Sequence, residues 1–181
     1  MKKLTKRACL LLFAMMFSGS VAAASVAEDE DEAALFRQWQ EGEVVLPLPP
    51  VVEKLLPFYV SAATENRFFI DPASVLVMPE GVVRYTLIIT TPGGARNVSF
   101  EGLRCESREW RLYAVGRLDG SWSSSRAKGW QRVRDVPQNR QHAALYLDYF
   151  CPDGIIVGSA AEAVANLRRG GRATSPMGYR W

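Results

Sequence analysis

The sequence has few of the residues that usually carry chemistry. Its 181 residues include three cysteines and a single histidine, His142. It contains neither the G-x-S-x-G string of a serine hydrolase nor the G-x-x-x-x-G-K-S/T string of a phosphate-binding loop. A zinc site takes three or four His, Cys or carboxylate ligands. One histidine with Cys105 and Cys151, which lie far apart in the sequence, makes a poor set of ligands. The sequence therefore predicts no metal and no cofactor, and it leaves catalysis unsupported.

Long apolar runs are also lacking, since a membrane span takes about 20 residues. The apolar stretch from Ala8 to Phe17 is shorter, follows a basic start at residues 1–7 and precedes the small residues 18–24. This order is typical of a removable export signal. We expect cleavage after Ala24, with Ala27 as the alternative, and no transmembrane segment thereafter. The predicted location is the periplasm or the cell envelope.

The excess of positive charge belongs to this expected signal. The whole chain carries 22 Lys and Arg against 19 Asp and Glu, and four of the cations, Lys2, Lys3, Lys6 and Arg7, would leave with the signal. The remaining 18 cations against 19 anions give a net charge of about −1. Nucleic-acid binding depends on clustered cations, so the balance argues against that class of partner.

Two cysteines, Cys105 and Cys151, remain downstream of the signal. In an oxidising compartment a lone pair most simply forms one disulfide. In the chain-entropy model, closing a loop of this length stabilises the fold by roughly 4 kcal/mol. A redox-active pair is the alternative, and the absence of C-x-x-C spacing argues against it.

Composition divides the rest of the chain into a leader, one domain and a tail. Residues 25–38 contain an acidic run and are predicted to form a mobile leader. Residues 39–170 form the predicted single domain, and 171–181 a disordered tail. Within the domain, the prolines of residues 44–50 exclude a central strand and favour an extended connector across the surface.

Short segments rich in Val, Ile, Phe and Tyr follow from residue 58, separated by turns such as Pro79–Gly81 and Pro92–Gly94. This spacing predicts an antiparallel meander of about five to seven strands. The alternation in Val82–Thr91 predicts one face on a core and the other in water. In Arg96–Cys105 the apolar positions change parity at Glu101–Gly102, which predicts a β-bulge there.

Two helices are predicted near the C-terminal end. Asn139–Cys151 carries an apolar stripe at helical spacing, although the alternation in Tyr146–Phe150 also fits a strand. The second helix has stronger end signals: Ser159 as the N-cap, Glu162 three residues later, and Gly170 at the end. The predicted fold class is therefore α+β: a single domain with an antiparallel sheet, two C-terminal helices and one disulfide.

The weak catalytic candidates are His142, Glu101 and Arg140. His142 could act as a general base only with an orienting partner, for which Asp148 or Glu101 could serve if the fold placed them beside it. A hydrogen-bonded helix histidine with a structural role is the favoured interpretation, because no motif surrounds it. A deep pocket containing the histidine and a carboxylate would support catalysis, whereas a buried and paired His142 would oppose it.

The binding candidates are two tryptophans and a set of arginines. Trp122 and Trp130 flank a polar loop and could stack on sugar rings or anchor a protein. Alternatively, both rings fold back over a small core. Arg84, Arg104 and Arg117 belong to a group that could share an outward sheet face and bind a carboxylate or phosphate. Pairing with nearby glutamates is the alternative.

Several strings occur in order along the chain: Phe58–Ala62, Arg67–Asp71, Val82–Leu87, Asn97–Cys105, Tyr113–Arg117 with Trp122, and Tyr149–Pro152. Together they resemble the CNP1-like family of small exported proteins from Gram-negative bacteria, over roughly Trp39 to Asp153. The resemblance implies a periplasmic or envelope-associated protein. It implies no activity, ligand or catalytic residue.

These observations predict an exported, noncatalytic module that binds or assembles with an envelope protein or a cell-wall polymer. The alternative function is an envelope hydrolase or transferase with its site around His142, Glu101 and Arg140.

Overall fold

The computed structural model describes residues 39–171. The expected signal peptide, the acidic leader and all but the first residue of the expected tail lie outside these residues. Within residues 39–171, no helix combines the length and the apolar character that a membrane crossing requires.

Seven antiparallel strands form one sheet. Its first six strands lie side by side in chain order, and the seventh also pairs with the fifth. The strands are β1 (Leu56–Phe58), β2 (Arg67–Val77), β3 (Val82–Thr90), β4 (Arg96–Arg104), β5 (Glu109–Gly116), β6 (Trp122–Ser124) and β7 (Gln131–Arg132). The predicted antiparallel meander is confirmed.

Glycine closes the two hairpins on either side of β3. Gly81 and Gly94 have φ angles of +84° and +83°, a region that side chains with a Cβ rarely adopt. Both glycines donate a backbone hydrogen bond across their turn, to Met78 O at 3.0 Å and to Thr91 O at 2.9 Å. These local signals set the connection of the longest strands.

The first predicted helix is present with a change in its winding. Helix α1 (Arg140–Ala144) passes directly into a π-helical segment, Leu145–Phe150. The wider winding ends where the Cys151 amide donates to the Tyr146 carbonyl, five residues back, at 3.0 Å.

The second helix, α2 (Ala160–Arg168), begins and ends as its sequence predicts. The Ser159 hydroxyl accepts a hydrogen bond from the Glu162 amide at 3.2 Å. The Glu162 carboxylate accepts in return from the Gly158 amide at 2.8 Å, one residue before the cap. Gly170, with a φ of +79°, follows the last turn.

The helices cover one face of the sheet and enclose the main core. The predicted disulfide joins Cys105, just beyond β4, to Cys151 at the end of the π-helical segment, with 5.6 Å between their Cα atoms. It therefore links the sheet covalently to the helical layer. The core residues of this face include Ile70, Val83, Tyr85, Leu87, Leu103, Leu145, Tyr149, Phe150 and Leu167.

The second face of the sheet is covered as well, by residues 40–50, which we call the strap. The strap has neither helix nor strand. Beneath it lie Arg84, Thr86 and Phe100, which are 2%, 0% and 0% exposed. The prediction that this face of β3 meets water is therefore wrong, because the connector expected from the prolines lies on it.

The same cover explains the parity change in β4. The bulge predicted at Glu101–Gly102 is not in this strand, because β4 pairs with β3 residue for residue along its length. The irregularity lies in β5, where Tyr113 is the extra residue opposite β4. Phe100 is buried under the strap and Leu103 under the helices. Even-numbered and odd-numbered apolar residues of β4 are thus both buried, because both faces of the strand are covered.

Candidate functional site

Two of the three catalytic candidates form a buried pair on the helical face. Glu101 of β4 and His142 of α1 are hydrogen-bonded, with 2.9 Å between Oε2 and Nε2. Their side chains are 5% and 2% exposed. The Ser99 hydroxyl donates to the other oxygen of Glu101 at 2.7 Å. The Trp110 ring stacks on the His142 ring with 3.8 Å between their centres.

This arrangement lacks the order of a nucleophilic site. A hydrolase nucleophile must lie beside the base, and the base beside its orienting group. Here the Ser99 hydroxyl bonds to the carboxylate and not to His142. Arg140 contacts a different carboxylate, that of Asp135, at 3.2 Å. The three candidates therefore do not converge on a place where a substrate could react.

Tyr85 adds to the buried character of this cluster. It lies directly across from Glu101 in the β3–β4 ladder and is fully buried. Burial, followed by the charge of Glu101, raises the pKa of the Tyr85 phenol well above its ordinary value. The phenol stays protonated, as a core side chain would.

A second polar cluster lies on the opposite face, beneath the strap. The carboxylate of Glu41 accepts hydrogen bonds from the Arg111 guanidinium and the Tyr113 hydroxyl. Burial and the contact with Glu41 raise the pKa of Tyr113 far above its ordinary range, which keeps its hydroxyl a donor. The Glu41 side chain is thus bound to the sheet through Arg111 and Tyr113 of β5.

Arg84 anchors the strap beside this cluster. Its terminal nitrogens donate to the Gly42 carbonyl at 2.8 Å and the Glu43 carbonyl at 2.5 Å. They also contact the Glu80 carboxylate at 2.8 Å. The Gly42 amide donates to that same carboxylate at 3.2 Å. Arg84, a predicted binding residue, is therefore enclosed and engaged within the chain.

Gly102 explains how these groups fit together. It stands between Arg84 and Arg111 in the register of the sheet. A Cβ at this position would lie 2.2 Å from the Tyr113 hydroxyl oxygen. Both guanidinium groups lie within 5.7 Å of the Tyr113 ring centre. The missing side chain gives the tyrosine its place between two cations.

The remaining predicted binding residues are dispersed. The Trp122 indole donates to the Pro47 carbonyl at 2.8 Å, and its ring packs near Phe100, which matches the folded-back alternative. Trp130 is partly buried. Arg104 pairs with Glu106 at 3.3 Å, and Arg117 donates to Ser123 at 3.2 Å. Their part in binding stays a prediction.

Two adjoining clefts open near the β1–β2 loop, and we call them together the loop cleft. Their volumes are about 180 and 270 Å³. Tyr59, at 59% exposure, offers an aromatic surface, and the Arg67 guanidinium lies 5.4 Å from the centre of the Phe69 ring. Polar and cationic lining residues are Ser61, Thr64, Asn66, Arg67, Gln138, Arg140 and Gln141.

The base of the loop cleft is fastened to the helical layer by a hydrogen bond and by ring packing. The Tyr59 amide donates to the Tyr149 hydroxyl at 3.1 Å. Phe58 packs against Phe68 and Tyr149 with ring centres 5.8 and 5.6 Å apart. The exposed Tyr59 ring therefore projects from a backbone that is hydrogen-bonded to the helical layer. Tyr59 lies in Phe58–Ala62, one of the strings that resemble the family, but no sequence signal marked Tyr59 or Asn66 as a binding residue.

Metal chemistry finds no candidate in the part of the chain that the structure describes. Among residues 39–171, no three His, Cys, Asp or Glu side chains are grouped so that they could hold a metal ion.

A family model provides the family assignment. The model described as the CNP1-like family matches residues 35–168. The chain belongs to the CNP1-like family. Comparisons with curated proteins and with solved structures gave no match. The resemblance carried by the sequence strings is confirmed, and the CNP1-like assignment brings no site residue with it.

Proposed function

We propose that this CNP1-like protein is a noncatalytic binding module of the periplasm, and that it binds an acidic cell-wall glycan in the loop cleft. The observation that carries the proposal is the location of its polar groups. The acid–base pair lies in the core, whereas aromatic, amide, hydroxyl and guanidinium groups line open clefts.

Burial is what argues against the hydrolase or transferase alternative. Glu101 and His142 line neither part of the loop cleft. A general base must come within hydrogen-bonding distance of the substrate proton, directly or through one water. A histidine covered by the Trp110 ring and bonded to a glutamate is better explained as a structural residue.

The lining of the loop cleft indicates the ligand class. An exposed tyrosine ring beside hydroxyl and amide side chains suits a sugar ring, which has an apolar face and a polar edge. Arg67 and Arg140 lie at separate places in the cleft and suit carboxylates. A cell-wall glycan with acidic sugars or attached peptides has both features.

The periplasmic address is supported by two independent features. The sequence begins with the three parts of an export signal. Its two downstream cysteines are joined, which is the usual state in an oxidising compartment.

The proposal is tested by sedimentation of the signal-free protein with purified cell-wall sacculi. We expect the protein to sediment with the polymer, and Tyr59→Ala to weaken binding about fivefold, as the loss of one aromatic stack does. Tyr59→Phe retains the ring and serves as the matched control. Arg140→Ala, which removes a cleft arginine, should also bind sacculi more weakly than Arg126→Ala, which removes an exposed arginine outside the cleft.

Wild-type protein that stays in the supernatant would contradict the glycan proposal. Equal binding by Tyr59→Ala and Tyr59→Phe would contradict the assignment to the loop cleft. Reproducible covalent capture of a protein neighbour in intact cells, without sacculus binding, would favour a protein partner instead.

A further inference from the structure

The strap is attached to the sheet by side chains alone. Glu41 is bound by Arg111 and Tyr113, and the carbonyl of Pro47 by Trp122. Arg84 binds the carbonyls between them. In residues 39–171, no backbone-to-backbone hydrogen bond joins the strap to a strand. The strap therefore lies on the sheet as a bound peptide lies in a groove. We call this surface of the sheet the groove; it is formed by Arg84, Phe100, Arg111, Tyr113 and Trp122.

The apolar side chains of the strap mostly point away from this groove. Val44 packs on the small core formed by Phe100, Tyr113 and Ala114. Val45 and Leu48 are 68% and 86% exposed. Such side chains gain from burial against another surface. The bound strap thus leaves an apolar edge that its own domain does not use.

The topology allows the strap to leave the sheet without breaking a backbone hydrogen bond of a strand or helix. It precedes every strand in the chain and is followed by a short 3-10 turn, Val52–Lys54, with no buried residue. A change in the backbone near this turn would lift the strap as a unit. No strand or helix would lose its pairing.

We propose that the groove of one molecule takes the strap of a second copy, so that two molecules exchange straps. The occupant is known to fit, because the same segment already fills the groove within one chain. Contacts made in the exchanged pair are the same as those in the single chain. The preference for the pair comes from Val45, Leu46 and Leu48, which the two molecules can bury between them.

Isotope-coded photocrosslinking tests the exchange. Val44→benzoylphenylalanine protein of natural isotopic composition is mixed with nitrogen-15-labelled wild type, partly unfolded, refolded together and irradiated. Exchange predicts crosslinks between a light strap and heavy β4 or β5 peptides. The matched control, Leu147→benzoylphenylalanine, carries the probe at an exposed helix position and should give no heavy β4 or β5 crosslinks. Light-to-light crosslinks alone would overturn the proposal.

A charge exchange provides a second test in case the probe disturbs folding. Glu41→Arg and Arg111→Glu each remove the contact within one chain, but a mixture restores it across two chains. We expect the mixture to sediment as dimers after joint refolding, and the double variant in one chain to behave as wild type. A mixture with no more dimer than either variant alone would overturn the proposal. Binding to sacculi is measured in parallel, because the loop cleft is separate from the groove.

Discussion

The two faces of the sheet bury polar groups by different means. On the helical face, Glu101 and His142 are covered by regular structure and lie near the disulfide-linked end of β4. On the other face, Glu41 belongs to a strap without regular structure and is bound by Arg111 and Tyr113 of the sheet. The first arrangement is fixed by the core, whereas the second depends on a few side-chain contacts.

The largest expected effect is on the helical face. Replacing Cys105 and Cys151 together with serine should lower the free energy of unfolding by roughly 4 kcal/mol, because the unfolded chain regains the freedom of a long loop. Guanidinium unfolding followed by circular dichroism measures the change. Wild type under reducing conditions should show a similar loss. Equal stability of the reduced and oxidised protein would contradict this view of the helical face.

Breaking the buried pair should have the next largest effect. His142→Leu leaves Glu101 buried without its imidazole partner, and we expect a loss of about 3 kcal/mol in the free energy of unfolding. Glu101→Gln/His142→Leu removes the charge as well and should recover part of this loss. If His142→Leu kept full stability, the pair would not be the structural element described above.

A smaller effect is expected on the strap face. Gly102→Ala places a methyl group against the Tyr113 hydroxyl, and the forced shift should cost about 2 kcal/mol. The Trp122 fluorescence should change with it, because its ring packs near Tyr113 through Phe100. Gly93→Ala is the matched control, since a Cβ there meets no atom within 4 Å. Similar behaviour of both variants would contradict the close fit at Gly102.

The pH dependence should reveal both faces at once. The pKa values of Tyr85 and Tyr113 are raised in the folded protein, so both phenols keep their protons to higher pH than in the unfolded chain. Their contribution to stability is full below about pH 10, where an unfolded tyrosine titrates, and declines as the pH rises further. Tyr85→Phe and Tyr113→Phe should each flatten the decline measured by urea unfolding. A wild-type stability that is constant up to pH 11 would contradict the raised values.

Local signals predicted the elements well. Gly81 and Gly94 marked the hairpins, and Ser159 with Glu162 marked the start of α2. These signals were readable because each residue determines the backbone only of its near neighbours in the sequence. The disulfide followed from cysteine count and compartment. The π-helical winding had no such signal, since Leu145–Phe150 also fits an ordinary helix.

Contacts between residues far apart in the sequence could not be predicted from the local sequence pattern. Nothing in the proline-rich strap indicates that Glu41 meets Arg111 and Tyr113, which follow some 70 residues later. Once one face of β3 was assumed to meet water, the parity change in β4 required a bulge. The buried position of Arg84 shows why that assumption failed: its charge is neutralised by Glu80, and its terminal nitrogens donate to the strap.

The disulfide between Cys105 and Cys151 also determines how the fold would respond to mechanical load. A force pulling on the strap would break its side-chain contacts one after another, as in unzipping. A force transmitted between β4 and the helical layer would meet a covalent bond instead. Tension applied at the strap should therefore detach the strap while the sheet and the helical layer, joined by the disulfide, stay together.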